Sequence, residues 1–137
     1  LMREGFLSEQ EAYAVDLRKI KAFFESSLAT RIFGADAVMR EKKFAVRVPA
    51  RELYPELPEY AEHEAVVVQG IADCVFVENG EIVIVDFKTD TGVSLEQLAA
   101  RYAPQLGVYK RALSECLGLP VRETLVYSFE AQAAVAV

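Results

Sequence analysis

Gly70-Ile-Ala-Asp73-Cys-Val-Phe-Val-Glu78-Asn79-Gly80-Glu81-Ile-Val-Ile-Val-Asp86-Phe87-Lys88-Thr-Asp90 decides the fold. Two apolar, β-branched runs flank Asn79-Gly80, the dipeptide best suited to a two-residue type I′ turn, because both turn positions need φ > 0. Such a short loop fixes the register. Glu78 pairs with Glu81, Val77 with Ile82, Val75 with Ile84, and Asp73 falls opposite Asp86. Directly opposed side chains share a face, with Cβ atoms roughly 4.5–5.5 Å apart. Lys88 is two residues past Asp86 and points the same way. Two carboxylates and an ammonium are therefore expected together at the hairpin end away from the turn. Like charges facing each other destabilise a sheet, and a hard divalent cation such as Mg²⁺ would offset the repulsion while keeping water positions open for a phosphate. A solvated acidic strand end with Lys88 as counter-ion uses the same residues. Ile71, Val75 and Ile84 are expected on the face of the polar trio. Spacing alone leaves the metal site and the plain ion pair level.

The chain of 137 residues is enough for one domain with a real core, and 53% of it is apolar. No apolar run reaches the ~20 residues of a membrane span, and the charged, helix-like N-terminus does not read as a signal peptide. Leu1 in place of Met suggests a domain excised from a longer protein. The net charge of −6 lacks the basic footprint usual for nucleic-acid partners. Cys74 and Cys116 form no Cys-x-x-Cys pattern and are expected as buried free thiols in a reducing compartment. Two thiols cannot supply an iron–sulfur cluster, which takes about four.

Ser8-Glu-Gln-Glu11 is a capping box that should open a helix running past Phe23-Phe24, with Ser26-Ser27 breaking it and a short second helix ending at Gly34. Alternating Phe44, Val46 and Val48 predict a strand from Ala37 to Val48, with Arg51 to Tyr54 as a second short strand beyond Pro49. Pro55 and Pro58 mark a polar loop through Glu64. A second capping box, Ser94-Leu-Glu-Gln97, opens a helix striped by Leu95, Leu98, Tyr102, Leu106, Tyr109, Leu113 and Cys116. Pro104 inside it predicts a kink or two helices, and Gly118-Leu-Pro120 a stop. Thr124 to Phe129 reads as a buried strand, and the tail from Ala131 to Val137 as a truncated one. The order predicts a small α/β or α+β domain built on a mixed central sheet flanked by helices.

Gly70-Ile-Ala-Asp73, Val85-Asp86-Phe87-Lys88-Thr89-Asp90 and Tyr102-x-x-Gln105-Leu106-x-x-Tyr109 occur in this order, preceded by Arg40-Glu41-Lys42-Lys43-Phe44. Together they resemble the RecB-like branch of the PD-(D/E)XK nucleases. The nearest likeness is to the C-terminal nuclease domain of AddA-type subunits of bacterial ATP-dependent helicase–nucleases. The resemblance covers most of the chain and implies a restriction-endonuclease-like core over residues 1–137. It implies Asp73 and Asp86 as metal ligands, with the backbone carbonyl of Phe87 beside them. It implies Lys88 as the group that orients the attacking water and steadies charge on the phosphate. Gln105 and Tyr109 match a signature beside the site, Tyr102 and Tyr109 reading equally as core packing, and Glu41 is a weaker match that a solvated strand residue explains as well. The family also carries a metal-binding histidine in a helix before the region covered. His63, inside Ala-Glu-His-Glu, does not match it and reads as a surface residue, so the chain is expected to begin after that helix.

The resemblance implies Mg²⁺-dependent exonucleolytic cleavage of DNA, Mn²⁺ substituting, in double-strand-break repair and recombination. It implies a bacterial cytoplasmic setting and no membrane. ATP would serve only the motor of the parent chain, and the partners would be DNA, the parent's helicase domains and a second nuclease/helicase subunit. The rival is a catalytically inactive nuclease-fold module for DNA binding or scaffolding. The intact Asp73, Asp86 and Lys88 speak against it; the acidic surface and the absent histidine speak for it.

Overall fold

A computed structural model describes residues 9–61 and 63–137. Two helices, α1 (Glu9–Phe24) and α2 (Ser27–Phe33), lead into β1 (Ala37–Pro49). A one-turn helix α3 (Ala50–Leu53) and a 3₁₀ turn (Glu59–Ala61) precede the hairpin of β2 (Ala65–Glu78) and β3 (Glu81–Lys88). The long helix α4 (Leu95–Leu117), β4 (Val121–Ser128) and β5 (Ala133–Ala136) complete the chain. The five strands form one sheet in sequence order, with β3 and β4 parallel and every other neighbouring pair antiparallel. The parallel step requires a crossover, which α4 supplies. This is the mixed, helix-flanked sheet expected.

The hairpin register follows from its turn. Glu78 pairs with Glu81 and the ladder runs without slip to Cys74 and Val85. Asn79 and Gly80 have φ of 51° and 78°, the left-handed pair a type I′ turn demands. β3 is buried on both faces from Ile82 to Asp86, as a central strand with a parallel neighbour must be. On one face Val75, Ile82, Ile84 and Val126 pack under Leu98, Leu106 and Leu113 of α4. On the other, Phe76, Val83, Val85 and Tyr127 pack under Leu28 and Ile32 of α2.

Several local expectations hold. Ser26 caps α2, its hydroxyl accepting from Ala29 N, and Gly34 ends that helix. Ser94 and Gln97 form the reciprocal capping box of α4, at 3.1 and 2.9 Å, and Gly118 closes it at φ 66°. The Ser8 capping box falls on residue 8, outside the described residues.

Four expectations are corrected. Residues 51–54 do not form a strand: Pro49 turns the chain and α3 follows, with Ala50 buried. α4 is one helix through Pro104. Pro104 and Ala100 are both exposed, so the carbonyl left without its usual donor faces water. Cys116 is exposed at the frayed end of the stripe, while Cys74 is buried as expected. Ile71 is also exposed rather than lying with Val75 and Ile84.

That last difference has a structural cause. Along β2, Val68 and Ala72 pack in the α4 cluster, and so does Val75, an odd step later. The inside–outside alternation therefore changes phase at Asp73. β1 changes phase opposite it, where Glu41 adopts φ 50° and the Glu41–Asp73 pair is missing from a ladder that resumes at Arg40–Cys74 and Lys42–Ala72. A matched irregularity on both strands re-aims side chains while preserving register.

Candidate active site

β3 delivers Asp86 and Lys88 to its C-terminal end on the α4 side, where open α/β sheets place their ligand sites. Asp86 is 5% exposed. Its Oδ2 lies 2.9 Å from Lys88 Nζ, and the approach lacks hydrogen-bond directionality, so this buried atom keeps no hydrogen-bond partner. Asp73 comes in from the phase change on β2, and its Oδ2 accepts from Phe87 N at 2.9 Å. Asp73 is thereby locked to the backbone of the residue between Asp86 and Lys88, and the three charged groups meet at this strand end.

The electrostatics follow from crowding. Burial pushes the Asp86 carboxyl up to about 6; Lys88 opposes that, and the neighbouring Asp73 carboxylate adds to it. For Lys88, burial pulls the ammonium down, but Asp86 and the other groups around it outweigh this and hold it above its ordinary value. A positive Lys88 faces a carboxylate that gives up its proton reluctantly, an arrangement that favours a further cation. Cys74 behind the site is a structural thiol, pushed up to about 11 by burial.

Asp73, Asp86 and a backbone carbonyl would be a hard, all-oxygen donor set. The orphaned, buried Asp86 Oδ2 beside a second carboxylate fits Mg²⁺, which binds one or two carboxylates and keeps waters. Among the described residues no three His, Cys, Asp or Glu side chains converge, so protein carboxylates alone would not fill the shell. Next to Asp73 opens a groove of about 900 Å³ lined by Arg40, Glu41, Phe87, Thr89 and Phe129. Glu41 therefore shares Asp73's groove without joining a carboxylate cluster. Beside it a cleft of about 480 Å³ is walled by Phe23, Phe24, Ile32 and Phe33.

Gln105 and Tyr109 lie elsewhere on α4. Gln105 Nε2 donates to Tyr109 Oη at 3.2 Å, and the Tyr109 ring meets Phe44 edge-on at 4.9 Å, over Gly70. Among the described residues no hydrogen bond or ion pair joins either to Asp73, Asp86 or Lys88. His63 is exposed in the turn before β2.

Sequence reasoning missed two neighbours of the trio. Lys88 Nζ sits 4.1 Å from the centroid of the Tyr102 ring, and Tyr102 Oη donates to Asp90 Oδ2 at 2.9 Å. The signal was available in part, since Asp90 is two residues beyond Lys88. A depression at the opposite, turn end of the hairpin is filled electrostatically by its own pairs, Arg31 bridging Glu78 and Glu123.

Comparison with known proteins agrees with this arrangement. Residues 3–135 match the family model of the PD-(D/E)XK nuclease superfamily. The chain is 39% identical over 125 residues to the A-type subunit of the ATP-dependent helicase/nuclease of Clostridium acetobutylicum, a match that covers 90% of this chain and 10% of the relative. It is 38% identical over 125 residues to the protein of the same name from Thermoanaerobacter sp. strain X514, with the same coverage. Against that from Pelotomaculum thermopropionicum it is 40% identical over 126 residues, again 90% of this chain and 10% of the relative. The chain thus spans about a tenth of the length of the curated relatives it matches.

Proposed function

The chain belongs to the PD-(D/E)XK nuclease superfamily, and from that premise we propose that it is the nuclease domain of an ATP-dependent helicase–nuclease, hydrolysing DNA phosphodiesters with Mg²⁺. The observation that carries the reading is the buried Asp86 Oδ2, without a hydrogen-bond partner, beside Asp73 and Lys88 at the end of β3. Asp73, Asp86 and the Phe87 carbonyl would hold the cation; when bound it supplies Lewis acidity toward a phosphoryl oxygen and the attacking water.

The rest is done by the chain itself. The Phe87 N–H fixes the Asp73 carboxylate. Lys88 presents a positive charge where negative charge grows on the phosphate in the transition state, a contribution of the electrostatic kind. Burial on β3 keeps Asp86 from wandering and withholds it from bulk water. Among the described residues no Ser or Cys side chain is hydrogen-bonded to the trio, in keeping with direct attack by water.

The setting follows from the relatives' name: a motor in the same polypeptide using ATP, DNA as substrate, partnership with a second subunit, and a role in break repair and recombination in the bacterial cytoplasm. No described helix is long and apolar enough to cross a membrane.

The test is cleavage of end-labelled linear DNA with Mg²⁺, Mn²⁺ or EDTA, with wild type and Asp86→Ala. Metal-dependent degradation that Asp86→Ala abolishes is the expected result. DNA binding without degradation under any metal would overturn the reading in favour of an inactive nuclease-fold module.

A further inference from the structure

We propose that Tyr102, anchored by Asp90, is a positioning residue that sets where the Lys88 ammonium stands; the inference rests on the nuclease reading and adds a residue to its machinery. A lysine is a compact charge on a flexible four-carbon stem. Left to an ion pair alone it would sample many positions around Asp86. Here it is confined from two sides. Asp86 Oδ2 lies at 2.9 Å, and the face of the Tyr102 ring lies at 4.1 Å, well inside the ~6 Å reach of a cation–π contact. The Lys88 side chain is only 20% exposed, so the contact is shielded from water.

The ring is itself fixed. Tyr102 Oη donates to Asp90, at 2.9 Å from Oδ2 and 3.2 Å from Oδ1. Arg101 Nη1 reaches the same Oδ2 at 2.7 Å. Burial works against charge on Asp90, but Tyr102 and Arg101 outweigh it, and the carboxylate stays below its ordinary range. Asp90 lies in the loop from β3 to α4, and Tyr102 lies two turns into α4. The clamp therefore ties the strand that carries Lys88 to the helix covering it. A core tyrosine would need only apolar contacts and one acceptor. Tyr102 instead turns its face to the ammonium of the candidate site and its hydroxyl to a carboxylate held by a second cation.

The experiment compares Tyr102→Phe, Tyr102→Leu and Asp90→Ala with the wild-type protein, each first checked by thermal melting. Cleavage is measured as kcat and KM. The Lys88 ε-methylene resonances, assigned through the Lys88→Arg variant, are read by NMR for the upfield displacement that a ring face imposes. Wild type and Tyr102→Phe should show that displacement and cleave alike. Tyr102→Leu should lose it and lose about 10- to 100-fold in kcat with KM little changed, the scale expected when a catalytic group is misplaced by about an ångström. Asp90→Ala, which leaves the apolar stripe intact, should weaken both effects in the same direction. Unchanged Lys88 resonances in Tyr102→Leu, or a folded Tyr102→Leu that cleaves at the wild-type rate, would overturn the proposal. Wild-type protein that does not cleave overturns the nuclease reading instead, and the resonances then decide alone whether Tyr102 places Lys88.

Discussion

Phe87 N donates to Asp73 Oδ2 across the open end of the β2–β3 hairpin, at 2.9 Å, just beyond the last ladder pair, Cys74–Val85. The bond replaces sheet pairing where the strands part, and it holds one carboxylate beside the other without strand geometry. It also separates two jobs of Asp73, fixing the backbone and carrying charge.

Asp73→Asn keeps an acceptor for Phe87 N and removes the charge. The fold should melt within about 1 kcal/mol of wild type, since the hydrogen bond survives in neutral form. Asp73→Ala leaves a partly buried N–H without its acceptor and should cost about 1–3 kcal/mol. Both should lose Mn²⁺ or Mg²⁺ binding by calorimetry. If metal binding survives Asp73→Asn unchanged, Asp73 is structural only.

Much of this was legible because it is local. The Asn79-Gly80 turn dictated the register, and the register brought Asp73 to Asp86. The Ser94 box and Gly118 bounded α4. What escaped was set by neighbours. The phase change at Asp73 depends on Glu41 taking a positive φ, which neither glycine nor asparagine announces, and Gly70 and Ala72 are too small to betray the alternation. Residues 51–54 were too few for periodicity to separate strand from helix. Tyr102 lay on an apolar stripe and so read as core, because nothing in a one-dimensional pattern shows Lys88 against its ring. Gln105 and Tyr109 share a face, as i and i+4 must, but that face meets Phe44 and Gly70.

Gly70 has no room for a side chain. A Cβ built there would stand 2.9 Å from Phe44 Cζ and 3.3 Å from Tyr109 Oη. Phe44 is buried, so its ring cannot simply swing away. Gly70→Ala should destabilise the protein by about 1–3 kcal/mol, as overpacking does. Urea melts check it, and pairing with Phe44→Leu should recover part of the loss if crowding is the cause.

Glu78 offers a pH prediction with a definite sign. Hydrogen bonding to Arg31 holds its carboxyl below the ordinary range against a smaller desolvation cost. The native state therefore binds fewer protons at this site than the unfolded chain, and its contribution is present above the unfolded value of about 4.3 and lost as pH falls through the lower folded one. Glu78→Gln should cost roughly 1 kcal/mol near pH 7, in view of partial exposure. The gap between wild type and variant, followed by urea melts, should close below about pH 4. A gap that persists at a pH of about 3 would mean packing, not charge, carries the effect.

Lys88→Ala separates the candidate site from the motor of the proposed parent polypeptide. Lys88 is a strand-end side chain whose head group touches Asp86 and Tyr102. Its removal takes a positive charge from the place where the phosphate would gain negative charge, and loss of one such donor costs on the order of 10²–10³ in rate. It also leaves Asp86 buried without its cation, so some stability should go as well, up to about 3–5 kcal/mol for a fully buried pair and less for this partly exposed lysine. ATP-driven unwinding, seated in other domains, should persist. A nuclease assay and an unwinding assay on one preparation therefore discriminate. Cleavage lost with unwinding kept supports the assignment. Cleavage at the wild-type rate makes Lys88 a structural counter-ion to Asp86 and removes it from the chemistry.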